Sequence, residues 1–212
     1  MKPIFDITPF SIVDFEGKIS AVVWFCGCNM RCVYCYNTKI VSATNGKFSA
    51  DDLYEFLKMR RNKLDAVVFS GGECTNCHEI LEILKCVKNL GFLNKIDTNG
   101  ANPHILAEIL KRNLADFISL DFKAGNEKFF KITKINGYEN FIKSLKILVK
   151  SGVKFEVRTT IHSDFLNETE ISKMAGILEN YGYKGEYCLQ NFYATDENFG
   201  NLKAQKIKFD PA

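Results

Sequence analysis

The chain has 212 residues, of which 46% are hydrophobic and 25% charged, a composition that is typical of folded globular proteins and excludes a disordered or fibrous chain. Lys and Arg together number 28 and Asp and Glu 25, so the formal net charge of +3 gives no reason to expect nucleic-acid or membrane binding. The first residues lack the apolar region of a signal peptide, and no run reaches the roughly 18 apolar residues of a membrane span, so we expect a cytoplasmic protein.

Short apolar segments and longer amphipathic segments alternate along the chain. The apolar segments predict six strands, at 19–25, 65–69, 92–97, 117–122, 154–161 and 186–192. The amphipathic segments predict helices at 51–59 with Ser49 as N-cap, at 79–89, after Asn102-Pro103 with Asn102 as N-cap, at 140–150, and from a capping box of Asn167 and Glu170 to Leu178. The polar residues after 192 predict irregular structure.

This alternation predicts the fold class. Strands that alternate with helices form a parallel sheet with right-handed crossovers, which is an α/β architecture. Six units are too few for a closed eightfold barrel, so we expect an open, partial (β/α)6 TIM-like barrel, with a doubly wound sheet as the alternative. No linker divides the chain, and we expect residues 1–212 to form one domain. In either layout, chemistry gathers at the carboxyl ends of the strands.

Eight cysteines are the most unusual feature of the composition. Cys28, Cys32 and Cys35 form a C-x3-C-x2-C motif directly after the first predicted strand. Three thiolates on one short loop can bind three corners of a 4Fe–4S cluster and leave the fourth iron open to a small molecule. A zinc site more often uses a second C-x2-C pair, which Cys74 and Cys77 could supply, so zinc is an alternative at this point.

Polar motifs also follow the next three predicted strands. They are SGGE at 70–73, DTNG at 97–100 and SLDFK at 119–123. Each motif alone is an ordinary turn sequence. Their occurrence in this order, each at a strand end, is hard to explain by turns alone and predicts a shared site.

These segments resemble a known family. VDFEGKISAVVWFCGCNMRCVYCYN, FSGGE, KIDTNGANPHIL and ADFISLDFKA are similar to the motifs of the radical S-adenosylmethionine (SAM) enzymes. Within that superfamily they most resemble the glycyl-radical-enzyme activases, and among these the activating proteins of anaerobic (class III) ribonucleoside-triphosphate reductase. The resemblance covers roughly residues 8–161 and weakens afterwards.

The resemblance implies a role for each matching residue. Cys28, Cys32 and Cys35 would ligate the 4Fe–4S cluster. The implied SAM contacts are Tyr34 at the adenine, Gly72 and Glu73 at the amino group, and Asp97, Thr98 and Asp121 around the carboxylate, directly or through a monovalent cation. Tyr36, Gly71, Lys123 and Arg158 complete the implied SAM site, and an ion pair unrelated to SAM is an equal alternative for Arg158.

The activity that the resemblance implies is reductive cleavage of SAM, followed by removal of a hydrogen from a glycine of a partner enzyme. A flavodoxin or ferredoxin would donate the electron. A small-molecule radical SAM enzyme, such as a 7-carboxy-7-deazaguanine synthase-like protein, is the alternative enzyme. A zinc-binding adaptor is the alternative that is not an enzyme.

Four residues depart from the pattern of the family. Cys26 replaces a common Gln, Tyr36 replaces the usual His, Cys74 replaces the usual Pro, and Cys77 is an additional thiol. The sequence leaves three roles open for Cys26, Cys74 and Cys77: an accessory metal site, a redox pair, or packing.

Overall fold

The computed structural model describes residues 2–208. In this part of the chain seven strands form one sheet in the order β1 to β7. The strands are β1 (Ile4–Ser11), β2 (Ser20–Phe25), β3 (Ala66–Gly71), β4 (Leu93–Thr98), β5 (Phe117–Asp121), β6 (Lys154–Ile161) and β7 (Tyr187–Asn191). The sheet is open, since β1 and β7 form its two ends.

Helices connect the parallel strands β2 to β7. They are α1 (Thr38–Ser42), α2 (Ala50–Lys58), α3 (Ile80–Asn89), α4 (Pro103–Lys111), α5 (Asn126–Thr133), α6 (Tyr138–Ser151) and α7 (Glu168–Asn180), and a 3-10 turn, Cys74–Asn76, follows β3. The open α/β architecture that the sequence predicts is therefore confirmed. Within residues 2–208, no helix is long and apolar enough to span a membrane.

The sheet and helices form because their apolar residues follow the periods of the two structures. Ala66–Phe69 of β3 are buried on both faces, as expected of a central parallel strand. Helix α3 buries one stripe, Ile80, Ile83, Leu84 and Val87, against the sheet. Both predicted N-caps of α2 and α7 are present as complete capping boxes, Ser49 with Asp52 and Asn167 with Glu170.

Four elements differ from the prediction made from the sequence. Strand β1 was not predicted, and it pairs antiparallel with β2, because the short loop at residues 12–19 allows a hairpin but not a crossover. Helices α1 and α5 were also not predicted. Asn102 does not cap α4 through its side chain, which instead donates hydrogen bonds to Thr75 Oγ1 at 3.0 Å and Asn76 Oδ1 at 2.7 Å.

Candidate functional site

The carboxyl ends of the parallel strands surround a cavity of about 460 Å³. All thirteen site residues that the sequence predicts line it: Cys28, Cys32, Tyr34, Cys35, Tyr36, Gly71, Gly72, Glu73, Asp97, Thr98, Asp121, Lys123 and Arg158. This convergence follows from the topology, since parallel strands bring their carboxyl ends to one edge of a sheet.

The cysteine loop, residues 26–35, is held by backbone hydrogen bonds from two sides. Arg31 N and Val33 N donate to the carbonyls of Thr133 and Ile132 at the end of α5, both at 2.9 Å. The segment after β7 contributes from the other side, where Gly200 N donates to Val33 O at 2.7 Å and Phe199 N to Cys35 O at 3.3 Å. The loop is therefore positioned by parts of the chain far from it in sequence.

Burial controls the ionisation of the three thiols. It raises the pKa of Cys28 to about 11 and that of Cys32 to about 12, and it also raises the pKa of Cys35. A metal ligand must be a thiolate, so metal binding here has to release protons and supply positive charge. Within residues 2–208, no group of three or more His, Cys, Asp or Glu is placed to hold a single metal ion.

Glu73 is a buried carboxylate without a cationic partner among the described residues. Its side chain accepts four hydrogen bonds from neutral donors: Thr75 N at 3.2 Å, Thr75 Oγ1 at 2.6 Å, Thr98 Oγ1 at 2.8 Å and Asn99 N at 2.7 Å. Burial raises its pKa despite these hydrogen bonds. A cationic group in the cavity would therefore stabilise its ionised form.

Gly71 and Gly72 allow the end of β3 to pass close to the end of β2. Glu73 N donates to Gly27 O at 2.9 Å. A Cβ on Gly72 would lie 1.8 Å from Gly27 O, and Gly71 has φ +112°, which disfavours any side chain. The two glycines thus place the cysteine loop directly beside Glu73.

An ion-pair network centred on Asp121 also lines the cavity. Asp121 contacts Lys123 Nζ at 2.9 Å and the Arg158 guanidinium at 3.1 Å. Arg158 also lies 3.6 Å from Asp97, which in turn is 3.7 Å from Lys95 Nζ. Burial opposes ionisation of Asp121, but Lys123 and Arg158 outweigh it and hold its pKa below the ordinary value. Arg158 is therefore ion-paired, as one reading of the sequence expected, and it also lines the cavity.

Two buried polar atoms at the cavity lack a hydrogen-bond partner within residues 2–208: the hydroxyl of Tyr34 and Oδ1 of Asp97. Such atoms are rare in folded proteins, and they commonly mark places where a ligand, ion or water binds. Tyr34 also presents its ring 5.9 Å from Lys123 Nζ. Tyr36, by contrast, is 51% exposed at the mouth, with its ring centroid 6.4 Å from that of Tyr193.

Several residues of the cavity were not predicted from the sequence. Asn99 connects Glu73 to the cysteine loop. Its backbone N–H donates to Glu73, while its side chain donates to Asn29 Oδ1 at 2.8 Å and lies 3.8 Å from Cys28 Sγ. It belongs to the DTNG motif, so the motif itself was the available signal. Gln190 and Tyr193 line the cavity without any motif that could have indicated them.

The other three cysteines that the sequence left open do not line this cavity. Cys74 is fully buried, and its thiol donates to Asp97 O at 3.5 Å, which is a packing position. Cys26 and Cys77 line a second cavity of about 510 Å³, together with His78. Burial raises the pKa of both thiols.

Comparisons with known proteins agree with this geometry. Residues 22–175 match the model of the radical SAM superfamily. A Methanocaldococcus jannaschii protein named as a glycyl-radical enzyme activating enzyme is 32% identical over 94% of this chain and 85% of its own length. The pyruvate formate-lyase-activating enzyme of Clostridium pasteurianum is 34% identical over 85% of this chain and 77% of its own length.

A solved structure shows the same fold. The crystal structure of Streptococcus suis SuiB bound to S-adenosylmethionine superposes with a TM-score of 0.66 at 16% identity. The match covers 86% of this chain but 44% of SuiB, so the present chain spans less than half the length of that protein.

Proposed function

The chain belongs to the radical SAM superfamily, and from this membership we propose that it activates a glycyl-radical enzyme. One observation supports the proposal most directly: the three thiols of the cysteine loop and the buried Glu73 carboxylate line the same cavity. The proposed partner is an anaerobic, class III, ribonucleoside-triphosphate reductase. The proposed compartment is the cytoplasm, and a flavodoxin or ferredoxin is the proposed electron donor.

The residues of the cavity fit the cofactors of the superfamily, a 4Fe–4S cluster and SAM. Three cysteines on one loop are a donor set suited to a cluster with one open iron. Glu73 lacks a countercharge that an amino group would provide, and Tyr34 and Asp97 each have a buried atom without a hydrogen-bond partner in the described part of the chain. The cavity therefore offers both soft sulfur ligands and unsatisfied polar groups.

We assign Cys28, Cys32 and Cys35 as the cluster ligands. When bound, the cluster and SAM supply one-electron chemistry that yields methionine and a 5′-deoxyadenosyl radical able to remove a hydrogen atom from carbon. The chain itself fixes the loop through the backbone bonds from α5 and from the segment after β7. It also limits access of water to Cys32, which is 7% exposed.

The remaining cavity residues would bind and orient SAM. Glu73, which lines the cavity, would accept hydrogen bonds from the amino group. Lys123 and Arg158 can donate to the carboxylate while Asp121 keeps both in place. Asp97, whose Oδ1 lies 3.7 Å from Lys95 Nζ but accepts no hydrogen bond from residues 2–208, is the proposed contact for a monovalent cation.

The proposed partner would present a glycine at the open mouth of the cavity. Tyr36 and Tyr193 lie there, 51% and 72% exposed, and aromatic side chains exposed beside a site commonly contact a macromolecule. An open sheet leaves room for a polypeptide loop at this edge.

The experiment that tests the proposal is anaerobic mixing of the iron-loaded protein, SAM and a reductant with the purified class III reductase. We expect a glycine-radical doublet in the electron paramagnetic resonance spectrum, and no doublet without SAM. SAM cleavage without a radical in the reductase, or in pyruvate formate-lyase tested in parallel, would contradict an activating role.

A further inference from the structure

The two edges of the open sheet differ in how well they are protected against further strand pairing. Strand β1 contains Pro9, two register irregularities and the Asp6–Lys47 ion pair, and Ile4 forms a bridge with Phe48. Proline, bulges and charges are the usual devices that prevent an edge strand from pairing with another chain. Strand β1 is therefore a blocked edge.

Strand β7 has none of these devices. Its sequence, YCLQN, contains no proline and no charge, and its register against β6 is continuous. Leu189 and Gln190 are exposed on the surface, Leu189 by 41%. An uncharged, regular edge of this kind is normally avoided unless it serves pairing.

The hydrogen bonds to β6 identify the backbone groups of β7 that face outward. Glu186 O accepts from Val157 N at 3.2 Å, and Phe192 N donates to Ile161 O at 2.8 Å. Because alternate residues of a strand direct their backbone groups to opposite sides, Cys188 and Gln190 bond toward β6. The N–H and C=O groups of Tyr187 and Leu189 then point away from the sheet, and no group within residues 2–208 bonds to them.

This edge is continuous with the candidate active site. Gln190, at the carboxyl end of β7, lines the cavity together with Tyr193. A strand added beside β7 would lie roughly 4.8 Å away, and alternate side chains of that strand would face the same side as Gln190. A residue of the added strand would thereby reach the open side of the cavity.

We propose that the free edge of β7 binds an extended, uncharged segment of the partner polypeptide as an additional strand; this rests on the proposed function. A polypeptide presents alternating donors and acceptors at the spacing that Tyr187 and Leu189 require. The uncharged edge selects an uncharged segment, because a charge placed against it would lose hydration without a countercharge. The added strand carries the glycine region of the partner to the cavity.

The test compares two substitutions at one residue. Leu189→Pro removes the outward N–H, whereas Leu189→Ala removes the same side chain and keeps that N–H; neither alters the bonds toward β6. At limiting partner concentration we expect Leu189→Pro to slow radical formation in the class III reductase about tenfold relative to Leu189→Ala, the effect of one lost hydrogen bond. SAM cleavage without the partner stays equal in both variants. Equal radical formation in the two variants overturns the proposal.

A second measurement needs no substitution. Amide hydrogen exchange of the wild-type protein is followed with and without the reductase, and we expect slower exchange at Tyr187 and Leu189 only when it is present. Exchange at β1 is the internal control. Radical formation without slower exchange at Tyr187 and Leu189 overturns the strand assignment. Slow exchange at these residues in the protein alone, together with self-association detected by sedimentation, overturns it as well. Normal SAM cleavage with no radical in any glycyl-radical enzyme overturns the proposed function first, and the docking assignment with it.

Discussion

At the scale of single residues, the charge of Glu73 is the feature with the clearest consequence for ligand binding. The four hydrogen bonds to this carboxylate come from Thr75, Thr98 and Asn99, which are all neutral. They compensate for lost hydration but do not balance the charge. The cationic amino group of a ligand would provide that balance.

Glu73→Gln is therefore expected to weaken SAM binding by about 10- to 100-fold, since hydrogen bonds to charged groups contribute about 1.5–3 kcal/mol. Iron content should stay unchanged, because Glu73 is not an assigned cluster ligand. Anaerobic titration calorimetry of the iron-loaded protein measures the affinity. Glu79→Gln, at an exposed position before α3, is the matched control. Unchanged affinity in Glu73→Gln would show that SAM binds elsewhere.

The cysteines allow a direct test of the ligand set. Cys32→Ser should abolish incorporation of the cluster, whereas Cys77→Ser should retain it, because Cys32 lines the cavity of the candidate site and Cys77 lines the second cavity. Iron analysis and visible absorbance after anaerobic reconstitution measure the difference, and circular dichroism verifies that both variants fold. Loss of iron in Cys77→Ser would indicate instead a ligand set that uses the C-x2-C pair, as in the zinc alternative.

The motif residues line one cavity because each motif lies at or directly after the carboxyl end of a strand, and their roles in binding stay predictions. Residues that the cavity recruits from segments without a motif could not be predicted, and Gln190 is the clear case. It reaches the cavity only because β7 pairs with β6 in a register that places it opposite Thr160. That register is a property of the folded sheet and has no local signal.

At the scale of elements, the errors of the sequence analysis have a common cause. In β1 the apolar pattern is interrupted by Asp6, Thr8 and Pro9, which are acceptable because this strand lies at an edge. Helix α5 has a short, mixed sequence, NEKFFKIT, and it is stabilised by packing of Phe129 and Ile132. Central strands were predicted because burial on both faces gives a continuous run of apolar residues. Long amphipathic helices were predicted because burial along one stripe gives a regular spacing of apolar residues.

The contact between the ends of β2 and β3 predicts a contrast between two glycines. Gly72→Ala would place a Cβ 1.8 Å from Gly27 O and 2.5 Å from Gly27 C, and these backbone atoms cannot move without shifting the cysteine loop. We expect a loss of about 1–3 kcal/mol in the free energy of unfolding, typical of overpacking.

Gly176→Ala is the matched control for this substitution. Gly176 lies inside α7, and a Cβ added there would meet no neighbouring group within 4 Å, so alanine should stabilise the helix by about 0.5–1 kcal/mol. Calorimetric melting of the iron-free proteins measures both changes. Two variants with equal melting temperatures would contradict the close approach at Gly72.

At the scale of the whole molecule, the ion pairs at the cavity connect the ends of β4, β5 and β6. Asp121 is central, because it contacts both Lys123 and Arg158. Its pKa lies below the ordinary value in the folded protein, so its ionised form stabilises the fold. This contribution is fully present above the unfolded pKa of about 3.9 and is lost as the pH falls through the folded pKa.

Asp121→Asn should therefore lower the free energy of unfolding by about 1–3 kcal/mol at neutral pH, less than the cost for a fully buried ion pair because the Asp121 side chain is 24% exposed. The difference from wild type should shrink as the pH falls below about 4. Urea unfolding at a series of pH values measures it. Asp196→Asn, at an exposed position, should differ little from wild type throughout. If the difference in the free energy of unfolding between Asp121→Asn and wild type is constant from neutral to acid pH, the ion pairs are excluded as its cause.

The backbone bonds from Phe199 and Gly200 to the cysteine loop have a consequence for biosynthesis. A ribosome produces the chain from its amino terminus, so the loop emerges long before residues 199 and 200 are translated. Helix α5 can support the nascent loop on one side once residues up to 133 have emerged, while the other side is still uncovered. Iron delivery during translation would therefore meet a loop that is held on one side only, whereas delivery to the finished protein would use the open mouth of the cavity that the three cysteines line.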